Sequence, residues 1–117
     1  MSNFEMGADA VNGAIIGVSA GSLYDCPSTM AWARFDNARL VNYGGATPTV
    51  DLWVLQSGET TAGANWKIVD TYVMSVDETY VLDMVIGDAI QLGGSIYGQA
   101  SAGSEVAFAA TVTLGKV

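Results

Sequence analysis

Asp77, Glu78, Asp83 and Asp88 stand within twelve residues of one another. A pair of carboxyl groups is the minimum equipment for general acid–base work, and a cluster of them is a start on a calcium site. A calcium site takes about six or more oxygens from a loop wrapped around the ion, and no Asp-x-Asp-x-Asp-Gly pattern is present. The plainer reading is a solvated turn at Asp77-Glu78, an outward strand position at Asp83, and a turn-forming Asp88 after Gly87. Cys26, the single cysteine, follows Tyr24-Asp25. A reactive thiolate needs a cation or a helix N-terminus there, so Cys26 reads as a small, partly buried apolar residue. Gly44-Gly45 and Gly93-Gly94 lack the strand and helix that flank a nucleotide-binding glycine loop, and read as turns or bulges.

Other residues suit binding better than catalysis. Trp32, Trp53 and Trp66, with Tyr24, Tyr43, Tyr72, Tyr80 and Tyr97, are enough aromatic surface for a sugar platform. Aromatics in so small a domain more commonly serve its core or a subunit interface. Arg34 and Arg39 are two of only four cations. They either pair with Asp36, Asp51 or another acid across a sheet, or reach an acidic neighbouring subunit with their planar forks.

Composition narrows the chemistry further. The chain has 117 residues, 12 Asp+Glu against 4 Lys+Arg, a net charge of −8 and no histidine. Zinc sites built on His and Cys, and nucleophiles that rely on a histidine base, have no residues to use. Four cations cannot neutralise a nucleic-acid backbone, so no nucleic-acid partner is expected. No apolar run is long enough to span a bilayer, and no membrane partner is expected. Met1 to Asp9 carry Glu5 and Asp9 and no basic residue, unlike a secretory signal. No cofactor, metal or catalytic residue is expected.

The elements that would position these residues read as strands. Gly, Ala, Ser, Thr and Val dominate, and turn signals recur at short spacing: Gly21-Ser22, Pro27-Ser28, Gly44-Gly45, Ser57-Gly58, Gly87-Asp88, Gly93-Gly94 and Gly103-Ser104. Period-two alternation is clear in several places. Val50, Leu52 and Val54 share one face, leaving Trp53 and Leu55 on the other, outward one. Val106, Phe108, Ala110, Val112 and Leu114 share a face opposite Ala107, Ala109, Thr111 and Thr113. The spacing predicts strands over 13–19, 22–26, 30–42, 48–56, 66–73, 79–84, 88–92, 95–101 and 105–115, with a bulge near Asp36-Asn37. Residues 1–11 are expected as an extended N-terminal arm with Phe4 and Met6 as apolar anchors, and 12–117 as one domain. The expected fold is all-β: an antiparallel, jelly-roll-like sandwich of about eight or nine short strands.

The order of segments resembles the small β-sandwich accessory proteins of tailed-bacteriophage virions. The residues that carry the resemblance are Ser22-Leu23-Tyr24-Asp25-Cys26-Pro27, Ala38-Arg39-Leu40-Val41-Asn42-Tyr43, and Thr49 through Gly58. Thr79-Tyr80-Val81-Leu82-Asp83, Gly87-Asp88-Ala89-Ile90-Gln91-Leu92 and Gln99 through Ser104 complete the plan. Ser28-Thr29 departs from it, standing where such proteins have an Ala-Gly turn. The resemblance implies a sandwich on the outside of a capsid, or in the tail or neck, without enzymatic activity.

Scarce charge fits that picture, because a freely diffusing monomer keeps abundant mixed charge on its surface. Strand edges without Lys or Pro are sticky unless a neighbour covers them. The expectation is a non-enzymatic virion structural protein, made in the host cytoplasm, that decorates or cements a capsid. Its partners would be the major capsid protein or other virion subunits, and it would be a homo-oligomer, a dimer or trimer. Phe4, Met6, Arg34, Arg39, Trp53 and Leu55 are the expected interface residues. The alternatives are a carbohydrate- or receptor-binding module of a fibre or spike, and a jelly roll that itself assembles into a shell.

Overall fold

The computed structural model describes residues 5–56, 67–82, 89–91 and 94–116. The described residues form nine strands in two antiparallel sheets: β1 (Glu5–Ile15), β2 (Gly21–Asp25), β3 (Trp32–Asn42), β4 (Thr49–Leu55), β5 (Lys67–Val73), β6 (Thr79–Val81), β7 (Ala89–Gln91), β8 (Ser95–Ala100) and β9 (Val106–Lys116). Sheet A runs β1-β9-β3-β6, with β7 also on β3, and sheet B runs β2-β8-β4-β5. β6 and β7 lie against different stretches of β3, Arg39–Val41 and Trp32–Arg34, and so share one edge position. The chain crosses between the sheets at almost every connection, which is the jelly-roll order the sequence led us to expect.

The alternation seen in the sequence sets the core. Rungs of sheet A turn Ala14, Phe108, Leu40 and Tyr80, then Val11, Ala110 and Ala38, then Val112 and Phe35, toward sheet B. Sheet B answers with Val50, Leu52 and Ile96, all fully buried. Aromatics close the sandwich on both sides. Tyr72 of sheet B stacks on Tyr80 of sheet A, with centroids 4.2 Å apart. On the other side Tyr24 meets Phe35 edge-on at 5.7 Å and donates its hydroxyl to Asp9 of β1 at 3.1 Å.

Two loops at one end are tied by the Met74 amide, which donates to the Pro48 carbonyl at 2.9 Å, and by one side chain. Asn42, 1% exposed at the end of β3, donates Nδ2 to the carbonyls of Ala46, Met74 and Ser75 at 2.8, 3.3 and 3.0 Å. Its Oδ1 accepts the Gly44 amide at 3.1 Å. The β3–β4 and β5–β6 connections are thereby held to each other where no strand pairing reaches them.

The nine expected strands are all found, with one large difference. Residues 5–11, expected as an arm, pair in register with β9 from Glu5↔Lys116 onward and form the first half of β1. Their alternation is faint because the inward positions are Gly7, Asp9 and Val11 and the outward ones Ala8, Ala10 and Asn12, so apolar contrast is nearly absent. The strand that was expected to begin at 13 instead ends at Ile15. A bulge between Asn12 and Ala14 is absorbed by Gly13, whose φ of 88° suits only glycine. The bulge expected near Asp36-Asn37 is present, between Phe35 and Asn37.

Candidate functional site

The carboxylates serve local structure. Asp51 accepts the Thr71 amide at 2.7 Å and the Thr71 hydroxyl at 3.4 Å, and pairs with Lys67 at 3.0 Å. It thereby holds Thr71, a β-branched residue, at the unfavourable φ of 51°. Lys67 also reaches Asp70 at 2.9 Å, so one ammonium serves two acids. Asp77 lies in the expected turn, at φ 62°. Glu78 accepts the Ser75 amide at 2.8 Å and the Tyr72 hydroxyl. Asp83 and Asp88 lie outside the described residues, and so does Trp66. An open cleft of about 280 Å³ is lined by Val18, Thr49, Asp51, Gln99, Ala100 and Ser101. Its polar groups are engaged: Gln99 donates to the Val18 carbonyl and Ser101 Oγ accepts the Thr49 amide, each at 2.9 Å. Cys26 is 6% exposed, and burial pushes its thiol above the usual range, as suits a packing residue.

These pairings make a pH prediction. The Thr113 hydroxyl and Arg34 hold Asp36 below the usual carboxylate range, Lys67 and Thr71 do so for Asp70, and Tyr72 and Ser75 for Glu78. Burial and the bond to Asp9 raise the Tyr24 hydroxyl, and Glu78 raises that of Tyr72. On the acid side the unfolded chain takes up protons first, so stability is complete above about pH 5 and is lost as pH falls through the lowered values. On the alkaline side the unfolded Cys26 thiol ionises first, from about pH 8.5, and the unfolded tyrosines follow near pH 10, so stability is complete below about pH 8 and is lost above it. Thermal melts across the pH range should show a plateau between these limits. Solvent screening keeps the slopes modest. A Tm still rising as pH drops from 5 to 3 would contradict the assignment.

The expected interface residues divide into two groups. Arg34 and Arg39 lie on the outer face of sheet A. The rungs of that face are Ile15-Ala107-Val41-Thr79, Asn12-Ala109-Arg39-Val81, Ala10-Thr111-Asn37 and Ala8-Thr113-Arg34. Arg34 bonds Asp36 at 2.9 Å, as one sequence reading had it, and Asp36 also accepts the Thr113 hydroxyl. Arg39 makes no ion pair among the described residues, and Asp51 pairs with Lys67 instead of an arginine. Met6 pairs with Gly115 in β1, and Phe4 lies outside the described residues.

Trp53 and Leu55 correct the expectation of outward exposure. They do occupy the face of β4 opposite Val50 and Leu52, across from Tyr97 and Ser95 of β8. Yet they are only 6% and 4% exposed. Alternation along a strand assigns a side chain to a face, and does not say whether that face is covered. Here Lys67 of β5 lies over the indole, its Nζ 5.4 Å from the ring centroid. The Trp53 indole N–H is the one buried side-chain polar atom without a hydrogen-bond partner among the described residues.

Sequence reasoning missed what β1 contributes: Ala8, Ala10, Asn12 and Ile15 widen the outer face of sheet A to four strands. It also missed an apolar fringe at the end near the 101–105 turn, where Ile15, Val18, Tyr43, Val73 and Val76 are exposed by roughly half their surface. Those side chains sit in loops or at strand ends, where periodicity carries no signal.

The fold has solved counterparts. Over 99% of this chain and 91% of its own, a subunit from the disulfide-linked pili that form Bacillus endospore appendages superposes with a TM-score of 0.54 at 16% identity. The capsid protein of the infectious bursal disease virus VP2 subviral particle superposes with a TM-score of 0.50 at 8% identity, over 97% of this chain and 33% of its own. At such identities the likeness is one of fold. No family model matches the sequence, and no curated protein does. The lone, buried Cys26 leaves this chain without the accessible thiols that disulfide-linked assembly requires.

Proposed function

We propose that the chain is a non-enzymatic structural protein of a virion, which decorates or cements a tailed-phage capsid by lying across its subunits. The observation that carries this reading is the outer face of sheet A. Four strands present Ala, Thr, Asn, Val and Ile side chains with Arg34 and Arg39 among them and the Trp32 ring over Gly115, a broad sheet face that fits another protein better than a small molecule. The occurrence of the same fold in a capsid protein and a pilus subunit supports the reading, as does the segment order that resembles phage accessory proteins.

The mechanism is mechanical. Surface buried across a capsomer boundary must be re-exposed when the shell expands or ruptures, so those events cost more. The contact residues are Arg34 and Arg39, with Phe4 and Met6 at the start of the chain. Trp53 and Leu55 are buried within this chain and take no part. The burial of Trp53 also removes the best-placed tryptophan from a sugar platform.

Quantitative mass spectrometry of purified parent particles tests the proposal, together with heat or osmotic challenge of particles lacking the chain. Hundreds of copies per particle and earlier rupture without them are expected. Particles that contain none of the chain would sink the reading.

A further inference from the structure

Asn12 and Gly13 stand, both exposed, at the bulge of β1. Of the five asparagines in the chain, Asn12 alone is followed by glycine. In that pair the backbone nitrogen reaches the preceding side chain most easily, because glycine adds no side chain to hinder it. The ladder shows what the fold allows there. The Ile16 amide donates to the Val106 carbonyl and the Tyr43 amide to the Glu105 carbonyl, each at 2.9 Å. Even-numbered residues of β9 therefore bond β1, and odd-numbered ones bond β3. Asn12 lies opposite Ala109, so its own amide and carbonyl turn to the free edge of β1. The Ala10 amide turns the same way, and the Asp9 carboxylate takes it at 2.8 Å. Gly13 is the extra residue of the bulge, with no opposite in β9. A Cβ built there would meet no atom within 4 Å beyond its chain neighbours. The other described asparagines are held. Asn37 pairs with Thr111, one of the residues that bond β3, and precedes Ala38. Asn42 is buried, with its side-chain amide in four hydrogen bonds.

We propose that Asn12 is a site of spontaneous deamidation, with Gly13 supplying the nucleophile. The Gly13 nitrogen, having given its proton to solvent base, attacks Asn12 Cγ. The N–Cγ bond forms, the Cγ–Nδ2 bond breaks, and Nδ2 leaves as ammonia with a proton from solvent. Nothing is oxidised or reduced. Water then opens the cyclic imide at either carbonyl and leaves aspartate or isoaspartate at position 12. Ring closure must swing the Asn12–Gly13 peptide out of its extended setting. The Asn12 carbonyl abandons no ladder partner when it swings, and an edge strand opens at small cost. The new carboxylate lands on the outer face of sheet A, in the rung Asn12-Ala109-Arg39-Val81. Neighbouring strands lie about 4.8 Å apart, so position 12 and Arg39 stand about 10 Å apart across the alanine, within joint reach of their side chains. Arg39 has no ion pair among the described residues, and the carboxylate offers it one. The added acid takes the net charge from −8 to −9. Isoaspartate also inserts a methylene into the β1 backbone beside the bulge. The reaction needs only this chain and water, and so is independent of the virion role.

Ageing of the purified, folded chain in neutral to slightly alkaline buffer provides the test. Peptide mapping by mass spectrometry follows each asparagine, and electron-transfer fragmentation tells isoaspartate from aspartate. Asn12 should convert faster than Asn37 and Asn42 by more than an order of magnitude. Isoaspartate should be a major product, and the rate should climb with pH as the Gly13 nitrogen loses its proton more often. Anion exchange should show a later-eluting species growing in at the same rate. Asn12→Gln, a change at an exposed side chain, should keep the folded circular-dichroism spectrum and form no such species. Gly13→Ala is the less useful variant, because a φ of 88° strains alanine. An Asn12 that keeps its amide as long as Asn42 does would overturn the proposal. So would conversion to aspartate alone, which is direct hydrolysis without the imide, or an Asn37 that converts as fast.

Discussion

Replacing Asn42 by aspartate is expected to destabilise the protein by about 4 kcal/mol or more. The amide donates to three carbonyls, of Ala46, Met74 and Ser75, and accepts the Gly44 amide, in a site 1% exposed. Aspartate keeps the shape and loses every donor. Three carbonyls then face a carboxylate, and each buried polar group left without a partner costs about 1–3 kcal/mol. A protonated aspartate recovers one donor at most, so acid does not rescue the variant. Asn42→Ala should lose somewhat less, because it leaves the Ala46 and Met74 carbonyls unpaired without adding a charge, while the Ser75 carbonyl keeps the Glu78 amide. Urea denaturation followed by tryptophan fluorescence reads both. A loss under about 1 kcal/mol for Asn42→Asp would mean that the two loops hold their places without it.

Phe108→Ala is the second large effect, expected at about 3–5 kcal/mol. Phe108 is fully buried, pairs with Leu40 on one side and Ala14 on the other, and meets Phe35 edge-on with centroids 6.5 Å apart. β9 lies between β1 and β3 along its whole length, so neither neighbour can move in to fill the space without breaking a ladder. The cost should therefore fall in the upper part of that range. Unchanged steepness of the urea transition with a lower midpoint would show that the fold survives with a cavity. A midpoint shift worth less than about 1.5 kcal/mol would show that the sheets close over the gap.

Where side-chain contrast was strong, the fold could be read from the residues. β9 alternates Val106, Phe108, Ala110, Val112 and Leu114 against small polar and alanine positions, and the structure buries those five. β1 has no such contrast, and pairing with β9 is what makes it a strand, a long-range fact that no local window contains. The bulge at Asp36 was legible because the alternating segment 30–42 is long for a single strand. The outer face of sheet A was half legible: the alanine and threonine positions of β9 could be assigned to it, but strict alternation parts Arg34 from Arg39, and only the register shift between Phe35 and Asn37 brings both to that face beside the four residues β1 adds. Trp53 shows the complementary gap, since its face was right and its burial was not legible from the alternation of its own strand; Lys67, which lies over the ring, comes from the next strand. Asn42 stood in a recognisable segment, but two of its four bonds reach Met74 and Ser75, 32 and 33 residues away, and those have no sequence signature.

The pairing of Glu5 with Lys116 places the first and last described strand residues side by side at the same end of sheet A. A pull applied through those two points runs across the ladder, and opens it like a zipper, one hydrogen bond at a time. A pull along the strands would instead have to shear the whole ladder at once. Loaded through Glu5 and Lys116, the β1–β9 pair would peel apart under small force.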